Sequence, residues 1–304
     1  ILAPARRAIL RRRRAVARPR RRAVVLPPVV NMFEKPGASS SVVSQATLGT
    51  TVAILEAARG FDLAETPDRY RGWIRSVALR PLPGHGTSYP RPGRAFRVRN
   101  FVCQVYAEKD VTSASPISVA PLLSSVEVSR DAGEWKRVRL PDGRTGWVQS
   151  GDLEPAGVAV PPGPGDLAPA GTSPAALDGE GLAATALRFL GLPYLWGGTT
   201  PFGLDCSGLV QLVCRLHGCL LPRDADQQFA AAHQGPVDRV GLRAGDLVFF
   251  GPEEESITHV GIALGRDAFV SATTYRSPIV RVDRLDDPYW SGLYRGARRL
   301  RAGA

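Results

Sequence analysis

The sequence lacks any run of about 20 apolar residues, the length that a membrane-spanning helix needs. A basic start is followed by a short apolar segment, residues 23–26, and two prolines end it there. A secretory signal has a longer apolar region, of ~7 to 15 residues. We therefore expect no transmembrane segment, and the sequence does not establish export.

Cysteine is also scarce, with only Cys103, Cys206, Cys214 and Cys219 in 304 residues. Their spacing matches neither a metal-ligand motif nor a disulfide framework. We expect no metal ion, no cofactor and reduced thiols. Reduced thiols slightly favour the cytoplasm over the cell envelope or secretion.

Acidic residues are absent from residues 1–22, which carry ten arginines. The net charge of the whole chain is +11, so the remaining chain is close to neutral. Such a tail is expected to be disordered, and its charge could attract nucleic acid or an anionic polymer. Because nothing in the neutral body supports nucleic-acid binding, no nucleic-acid partner is expected.

Two segments, residues 23–80 and 101–155, are similar to one another and end in Gly-Trp-Ile and Gly-Trp-Val. Each contains short alternating strand patterns separated by Gly, Asp and Pro turns, which predicts two small β-barrels. A generic antiparallel β-domain is the alternative. Residues 81–100 and 156–175 are rich in Pro and Gly and are predicted to be linkers.

From residue 176 to residue 304 the pattern changes, because helical periodicity comes first and apolar strand patterns follow. This order predicts an α+β domain. Helices are predicted at 181–190, 206–218 and 224–233, and strands at 246–250, 259–265 and 268–272.

Cys206 is the candidate nucleophile, because the spacing of apolar residues predicts that a helix begins there with Asp205 as its N-cap. Free backbone N–H groups and the positive end of the helix dipole favour a thiolate, the form that attacks a carbonyl carbon. A buried cysteine on an apolar helix is also typical of a protein core. The helix alone therefore leaves both interpretations open.

His259 is the candidate base among the four histidines. It opens a predicted strand after a polar loop, where an imidazole can be held rigidly and still reach a cleft. It could deprotonate Cys206 and later protonate a leaving amine. We expect His217 and His233 to be structural or surface residues and His85 to be solvated.

Five motifs follow one another in the carboxyl-terminal region, at residues 193–198, 205–211, 221–227, 245–250 and 259–262. Together they resemble the NlpC-type cysteine peptidases of bacterial cell-wall metabolism. The resemblance implies a papain-like fold and hydrolysis of amide bonds in peptidoglycan peptides. The two barrels resemble bacterial SH3-like domains, and this combination looks like the subgroup that cleaves the γ-D-glutamyl bond to a diamino acid. The expected fold is α+β, a papain-like NlpC-type domain preceded by two small all-β SH3-like barrels.

The resemblance implies that Cys206 is the nucleophile, that its backbone N–H contributes to an oxyanion hole, and that His259 is the base. The family usually places His, Asn or Gln about twelve residues after the base to orient the imidazole; here that position holds Ser271. A hydroxyl can hydrogen-bond to imidazole but carries no charge or amide dipole. Three interpretations stay open: Ser271 or a bridging water orients His259, Thr273 substitutes, or catalysis is impaired.

The resemblance also implies substrate-binding residues. Tyr194 and Ser207 match positions that line the cleft, and Asp224 matches an acid that binds the free amino group of an amino-terminal L-alanine. A carboxylate suits that task, because a buried ammonium needs an opposite charge. Tyr70 and Glu34 look like residues that the first barrel contributes to the cleft, and Glu34 fits a solvated loop carboxylate equally well.

The expected function is that of a cysteine endopeptidase acting on peptidoglycan-derived peptides that begin L-Ala-γ-D-Glu. The alternatives are a catalytically impaired wall-binding protein and a thiol acyltransferase of related fold. A free amino terminus in the substrate would suit peptide recycling inside the cell, whereas wall-binding barrels would suit the outside. The sequence leaves open the diamino acid and the oligomeric state.

Overall fold

The computed structural model describes residues 21–84, 87–156, 178–231, 234–253 and 255–300. The basic tail up to residue 20, His85, His233 and nearly all of the predicted second linker lie outside these ranges. Within them, no helix is long and apolar enough to cross a membrane. The described residues form two compact units, a barrel unit that ends at residue 156 and a carboxyl-terminal unit that starts at residue 178.

The barrel unit contains two seven-stranded antiparallel sheets. Their strand orders, β3-β2-β6-β5-β4-β1-β7 and β10-β9-β13-β12-β11-β8-β14, are identical in pattern, which confirms that the two segments are copies of one fold. The first sheet consists of β1 Arg21–Val25, β2 Val29–Phe33, β3 Val42–Thr47, β4 Thr51–Ala58, β5 Phe61–Glu65, β6 Arg71–Arg75 and β7 Leu79–Leu82. The second consists of β8 Ala95–Val98, β9 Val102–Tyr106, β10 Pro116–Pro121, β11 Ser125–Ala132, β12 Trp135–Arg139, β13 Thr145–Gln149 and β14 Leu153–Pro155.

The strands extend beyond the boundaries expected from the sequence. β1 begins at Arg21, inside the expected tail, while β7 ends at Leu82 and β8 begins at Ala95, both inside the expected 81–100 linker. β8 pairs with β11 and β14, which lie about 30 to 60 residues further along the chain. A strand of four residues has too short a local pattern to be predicted from the sequence when its pairing partners are this distant.

Each barrel has its own apolar core. In the first barrel, every one of the seven strands contributes at least one buried side chain to a single cluster, so the sheet curves around one core. The second barrel repeats this arrangement around Val98, Cys103, Val105 and their neighbours. This accounts for the alternating burial along strands such as β6 and β13.

The two barrels pack against each other through the turn between β3 and β4. Leu48 in this turn is fully buried in the core of the second barrel, and its carbonyl accepts a hydrogen bond of 3.2 Å from the N–H of Ser125. Gly49 has a φ of +80°, and a Cβ there would lie 2.0 Å from the Ser125 carbonyl oxygen. The close approach of the barrels therefore requires glycine at this position.

The segment between the barrels is held in place rather than extended into solvent. The Tyr89 hydroxyl donates to the carbonyl of Arg139 (2.7 Å). Arg91 donates from its backbone and guanidinium to the fully buried carboxylate of Glu127, which Arg139 also approaches at 3.4 Å. Burial raises the pKa of Glu127, but the hydrogen bonds from Arg91 outweigh it and the pKa is lowered.

The carboxyl-terminal unit has one six-stranded antiparallel sheet in the order β17-β22-β18-β19-β20-β21, a two-stranded hairpin and four helices. The helices are α1 Gly179–Leu187, α2 Cys206–Leu216, α3 Ala225–Phe229 and α4 Pro288–Leu293. The strands are β15 Thr199–Thr200, β16 Gly203–Leu204, β17 Gln234–Val237, β18 Leu247–Phe250, β19 His259–Ala263, β20 Ala268–Thr273, β21 Ile279–Arg284 and β22 Tyr294–Leu300.

The predicted α+β order, helices first and antiparallel strands afterwards, is confirmed. Three differences stand out. α3 has five residues instead of the ten predicted, and the sequence analysis missed α4 together with β17, β21 and β22. β22 is the last strand in the chain but lies between β17 and β18 in the sheet, an arrangement that only long-range pairing decides.

Helix α2 is the central helix of this unit. Residues 207–214 are all buried, and the helix packs against β19 and β20. Near its start, Gly208 lies so close to the turn before the hairpin that a Cβ would be 2.1 Å from the Gly198 carbonyl oxygen. Because the atom that the Cβ would meet belongs to the backbone of Gly198, no side chain can move aside to make room for it.

We predict that Gly208→Ala destabilises the carboxyl-terminal unit by about 2 kcal/mol or more, because the added methyl group must displace backbone. Hydrogen–deuterium exchange of α2 peptides in increasing urea measures this loss separately from the barrel unit.

Gly292→Ala in α4 is the matched control, since a Cβ there meets no atom within 4 Å. Its α2 exchange should equal that of the parent chain. Equal destabilisation by both substitutions would show that the close approach at Gly208 does not constrain the fold.

Candidate active site

Cys206 occupies the first helical position of α2, and Asp205 is the N-cap, as predicted. The Asp205 carboxylate accepts hydrogen bonds from the N–H of Gly208 (2.7 Å) and of Gly197 (2.9 Å). One carboxylate thus joins the helix start to the preceding turn. The backbone N–H of Cys206 belongs to the first turn, whose N–H groups have no partner within the helix.

Arg223 completes this cap from another part of the chain. Its guanidinium is 1% exposed and forms two hydrogen bonds with Asp205, at 2.9 and 2.6 Å. It also donates to the Ser207 hydroxyl at 2.8 Å. A buried ion pair needs this degree of hydrogen bonding to compensate desolvation. The sequence analysis placed Arg223 in a motif but assigned it no role.

Gln228 is a second residue that the sequence analysis missed. Its fully buried amide donates to the carbonyls of Ser207 (3.1 Å) and Pro222 (2.9 Å). It therefore ties α3 to the first turn of α2. A polar residue in a short amphipathic helix gives no sequence signal that separates this role from a solvated one.

The Cys206 thiol lies beside the start of β19. The backbone N–H groups of Val260 and Ser207 lie close enough to the sulfur to lower its pKa. Burial and the charge of Asp205 raise the pKa of Cys206 to about 12, against the opposite effect of these two N–H groups and of Arg223. The prediction that the helix start favours a thiolate is therefore not supported, because desolvation has the larger effect on this pKa.

His259 is the first residue of β19 and is 3% exposed. Burial lowers its pKa from 6.5 to about 3, although the charge of Asp205 acts in the opposite direction. The imidazole is thus neutral and able to accept a proton. Both Cys206 and His259 rest in their uncharged forms, so the thiolate and the imidazolium form together when the proton passes between them.

Ser271 lies on the neighbouring strand β20, fully buried, with its Oγ 3.0 Å from His259 Nε2. The Thr273 hydroxyl instead accepts from the N–H of Tyr275 (3.0 Å). Of the three interpretations left open by the sequence, the geometry favours a direct hydrogen bond between Ser271 and His259. With Nε2 engaged, Nδ1 is the nitrogen left to exchange a proton with Cys206.

Trp290 in α4 also fixes the imidazole, and the sequence analysis missed it. Its ring is fully buried and stacks on His259 with centroids 4.9 Å apart and planes 29° apart. Phe250 packs on both rings. Flat aromatic contacts restrict rotation of the imidazole about its side-chain bonds. No local pattern predicts a contact between residues 31 positions apart.

The other residues predicted in this unit gather near the start of α2. Tyr194 is half-buried, and its backbone forms an isolated β-bridge with Leu204. Leu204 lies two residues before Cys206. Ser207 belongs to the Arg223 hydrogen-bond network. Asp224 follows Arg223, is half-buried at the start of α3, and accepts from the Gln227 amide (3.4 Å). These positions are compatible with the predicted cleft residues, whose roles stay predictions.

Tyr70 and Glu34 lie in the barrel unit. Tyr70 is buried in the core of the first barrel, and its carbonyl accepts from the N–H and hydroxyl of Thr66. Glu34 follows β2, half-buried, and its N–H donates to the Ser41 carbonyl (3.0 Å). Their predicted substrate contacts rest on the resemblance alone.

His217 has a structural role, as predicted. Its Nε2 lies 2.8 Å from the Thr185 hydroxyl, which links the end of α2 to α1. In the described part of the chain, no three or more His, Cys, Asp or Glu side chains are grouped so that they could hold a metal ion.

The Cys206 thiol thus lies at a helix start, beside the strand that begins with the buried, hydrogen-bonded His259. Residues 191–299 match the NlpC/P60 family, so the chain carries an NlpC/P60 domain. It is 35% identical to a γ-D-glutamyl-L-lysine dipeptidyl-peptidase of Bacillus cereus over 59% of this chain and 48% of that protein. A protein of the same name from Bacillus subtilis is 46% identical over 28% of this chain and 29% of that protein.

The chain thus spans about half the length, or less, of these curated relatives. A crystal structure of an NlpC/P60 family protein from Bacillus cereus is similar over 92% of this chain and 99% of that chain, with a TM-score of 0.72 and 21% identity. This likeness shows that the fold is shared, including the sheet-rich region before the catalytic domain.

We predict that Ser271→Ala lowers kcat for peptide hydrolysis by about 10- to 100-fold with little change in KM, because His259 loses the group that orients Nε2. Steady-state kinetics across pH measure both constants.

Thr258→Val is the control, because Thr258 precedes His259 in the chain. The Thr258 hydroxyl has no hydrogen-bond partner among the described residues, so its removal breaks no such bond. It should leave kcat close to that of the parent chain. A Ser271→Ala variant with unchanged kcat at every pH would show that Ser271 does not position the base.

Proposed function

We propose that this chain is a cysteine endopeptidase that hydrolyses the γ-D-glutamyl to diamino acid bond of peptidoglycan-derived peptides. The observation that carries the proposal is the arrangement of Cys206, at the start of α2, beside His259, whose Nε2 is hydrogen-bonded to Ser271. The names of the Bacillus relatives supply the choice of bond, since they specify a γ-D-glutamyl-L-lysine substrate.

The reaction begins when His259 takes the proton of the Cys206 thiol. The sulfur attacks the γ-carbonyl carbon of D-glutamate, and the oxyanion that forms accepts a hydrogen bond from the backbone N–H of Cys206. His259 then gives its proton to the leaving amine of the diamino acid, and the C–N bond breaks. A thioester on Cys206 remains.

Water hydrolyses the thioester in the second half of the reaction. His259 accepts a proton from the water as its oxygen attacks the thioester carbonyl, and the proton returns to the sulfur when the C–S bond breaks. The released acid is L-Ala-γ-D-Glu. Because every charge in the cycle forms as one of a pair, the buried site never holds an isolated imidazolium or thiolate.

The amino end of the substrate is assigned to Asp224. Asp224 directly follows Arg223, whose guanidinium is hydrogen-bonded to Asp205 and Ser207 at the start of α2, and this supports a place for the Asp224 carboxylate in the cleft. A carboxylate there attracts a free α-ammonium group. Tyr194 and Ser207 are assigned to the walls of the cleft, and Tyr70 and Glu34 to substrate binding, on the resemblance given above.

The direct test is cleavage of L-Ala-γ-D-Glu-L-Lys and of the matching peptide with meso-diaminopimelate, followed by product chromatography. The parent chain should release L-Ala-γ-D-Glu, and Cys206→Ser should lower the rate by about 10³-fold or more. Hydrolysis that survives in Cys206→Ser, or cleavage at a different bond, would contradict the proposal.

The role of Asp224 has its own prediction. Asp224→Asn keeps the size of the side chain but removes its charge, so kcat/KM for the free peptide should fall by about 10- to 100-fold. For the N-acetylated peptide it should change little. Asp226→Asn, an exposed neighbour on the same helix, is the control and should leave both substrates unaffected. Equal losses for both peptides in Asp224→Asn would show that Asp224 does not bind the ammonium group.

A further inference from the structure

The carboxyl-terminal end of α2 brings two cysteines together. After Leu216, the last residue of α2, Gly218 adopts a φ of +76°. The N–H of Cys219 donates to the Cys214 carbonyl (2.9 Å), and the N–H of Gly218 donates to the Arg215 carbonyl (3.1 Å). These two hydrogen bonds define a Schellman motif, which frequently brings the side chains at its two outer positions into contact. In this chain both outer positions are cysteines.

The motif holds the two backbones within the reach of a disulfide. Given standard backbone dimensions, the path through the 2.9 Å hydrogen bond limits the separation of the Cα atoms of Cys214 and Cys219 to about 7 Å. Two cysteines whose Cα atoms lie more than about 7 Å apart cannot be bridged without backbone movement, and this pair stays within that limit. Cys206 lies eight residues before Cys214 on the same helix, about 12 Å away, and is therefore out of range.

The two thiols differ in exposure and in pKa. A reactive pair requires one accessible thiol that attacks the oxidant and a second thiol that then closes the disulfide. Cys214 is buried, whereas Cys219 is partly exposed. The interaction between the two side chains lowers the pKa of Cys219 and, together with burial, raises the pKa of Cys214. Cys219 is thus the accessible nucleophile, and Cys214 is a second thiol that the backbone hydrogen bond holds next to it.

We propose that Cys214 and Cys219 form an oxidation site, a dithiol that a small-molecule disulfide converts into an intrachain disulfide. The Cys219 thiolate attacks one sulfur of the oxidant, which gives a mixed disulfide and releases one thiolate. The Cys214 thiolate then attacks the Cys219 sulfur and expels the second thiolate. The protein loses two electrons and two protons, and the oxidant is reduced to two thiols.

This site is separate from the proposed peptidase chemistry. It lies at the opposite end of α2 from Cys206, and none of the groups assigned to hydrolysis takes part. All four cysteines are free thiols in this structure, so Cys214 and Cys219 form an open pair. The proposal therefore stands or fails independently of the bond that the enzyme cleaves.

The test treats the folded full-length chain with oxidised glutathione and then alkylates the remaining thiols in denaturant. The intact mass before alkylation should fall by about 2 Da, as closure of one disulfide requires. Trypsin cuts after Arg188, Arg215 and Arg223, so closure should join peptide 189–215 to peptide 216–223. Repeating the treatment in Cys206→Ser assigns the bond, because Cys206 shares a peptide with Cys214.

Single substitutions separate the two steps. Cys214→Ser should stop at a glutathione adduct on Cys219, because the second thiol is missing, and Cys219→Ser should leave the buried Cys214 unmodified. Cys103, fully buried in the second barrel, is the internal control and should stay unreacted. A stable glutathione adduct on Cys219 of the parent chain, or no faster reaction at Cys219 than at Cys103, would overturn the proposal.

Discussion

The buried ion pair between Asp205 and Arg223 is the interaction on which the site depends. Asp205 caps α2 and binds the preceding turn, and Arg223 neutralises its charge while holding Ser207. Without Arg223, a nearly buried carboxylate would lie uncompensated beside the nucleophile, at a cost of about 3 to 5 kcal/mol. The position of Cys206 is therefore set by residues from both sides of α2 and not by the helix alone.

The environment of the reacting groups follows from the same burial. Desolvation raises the pKa of Cys206 and lowers that of His259, so each charged form is unfavourable by itself. Transfer of the proton from Cys206 to His259 therefore creates the thiolate and the imidazolium as a pair, in which each charge stabilises the other. Ser271 and Trp290 hold the imidazole for this transfer through a hydrogen bond and a stacked ring.

The sequence predicted the parts of the fold that local patterns encode. The α2 helix, its Asp205 cap and the strand that begins at His259 each depend on spacing within a few residues. The order of helical and strand patterns predicted the α+β class, and the repeated strand patterns predicted the two barrels. Arg223, Trp290 and strand β22 could not be assigned, because their partners lie about 18 to 50 residues away and only the folded sheet brings them together.

The central claim is that His259 activates the Cys206 thiol, and the rate of Cys206 alkylation tests it without a substrate. Iodoacetamide should modify Cys206 near pH 7 about tenfold or more faster in the parent chain than in His259→Gln, whose amide fills similar space but takes no proton. In the variant, alkylation should require a pH above the ordinary range of a thiol. Equal rates and equal pH dependence in both proteins would contradict the account.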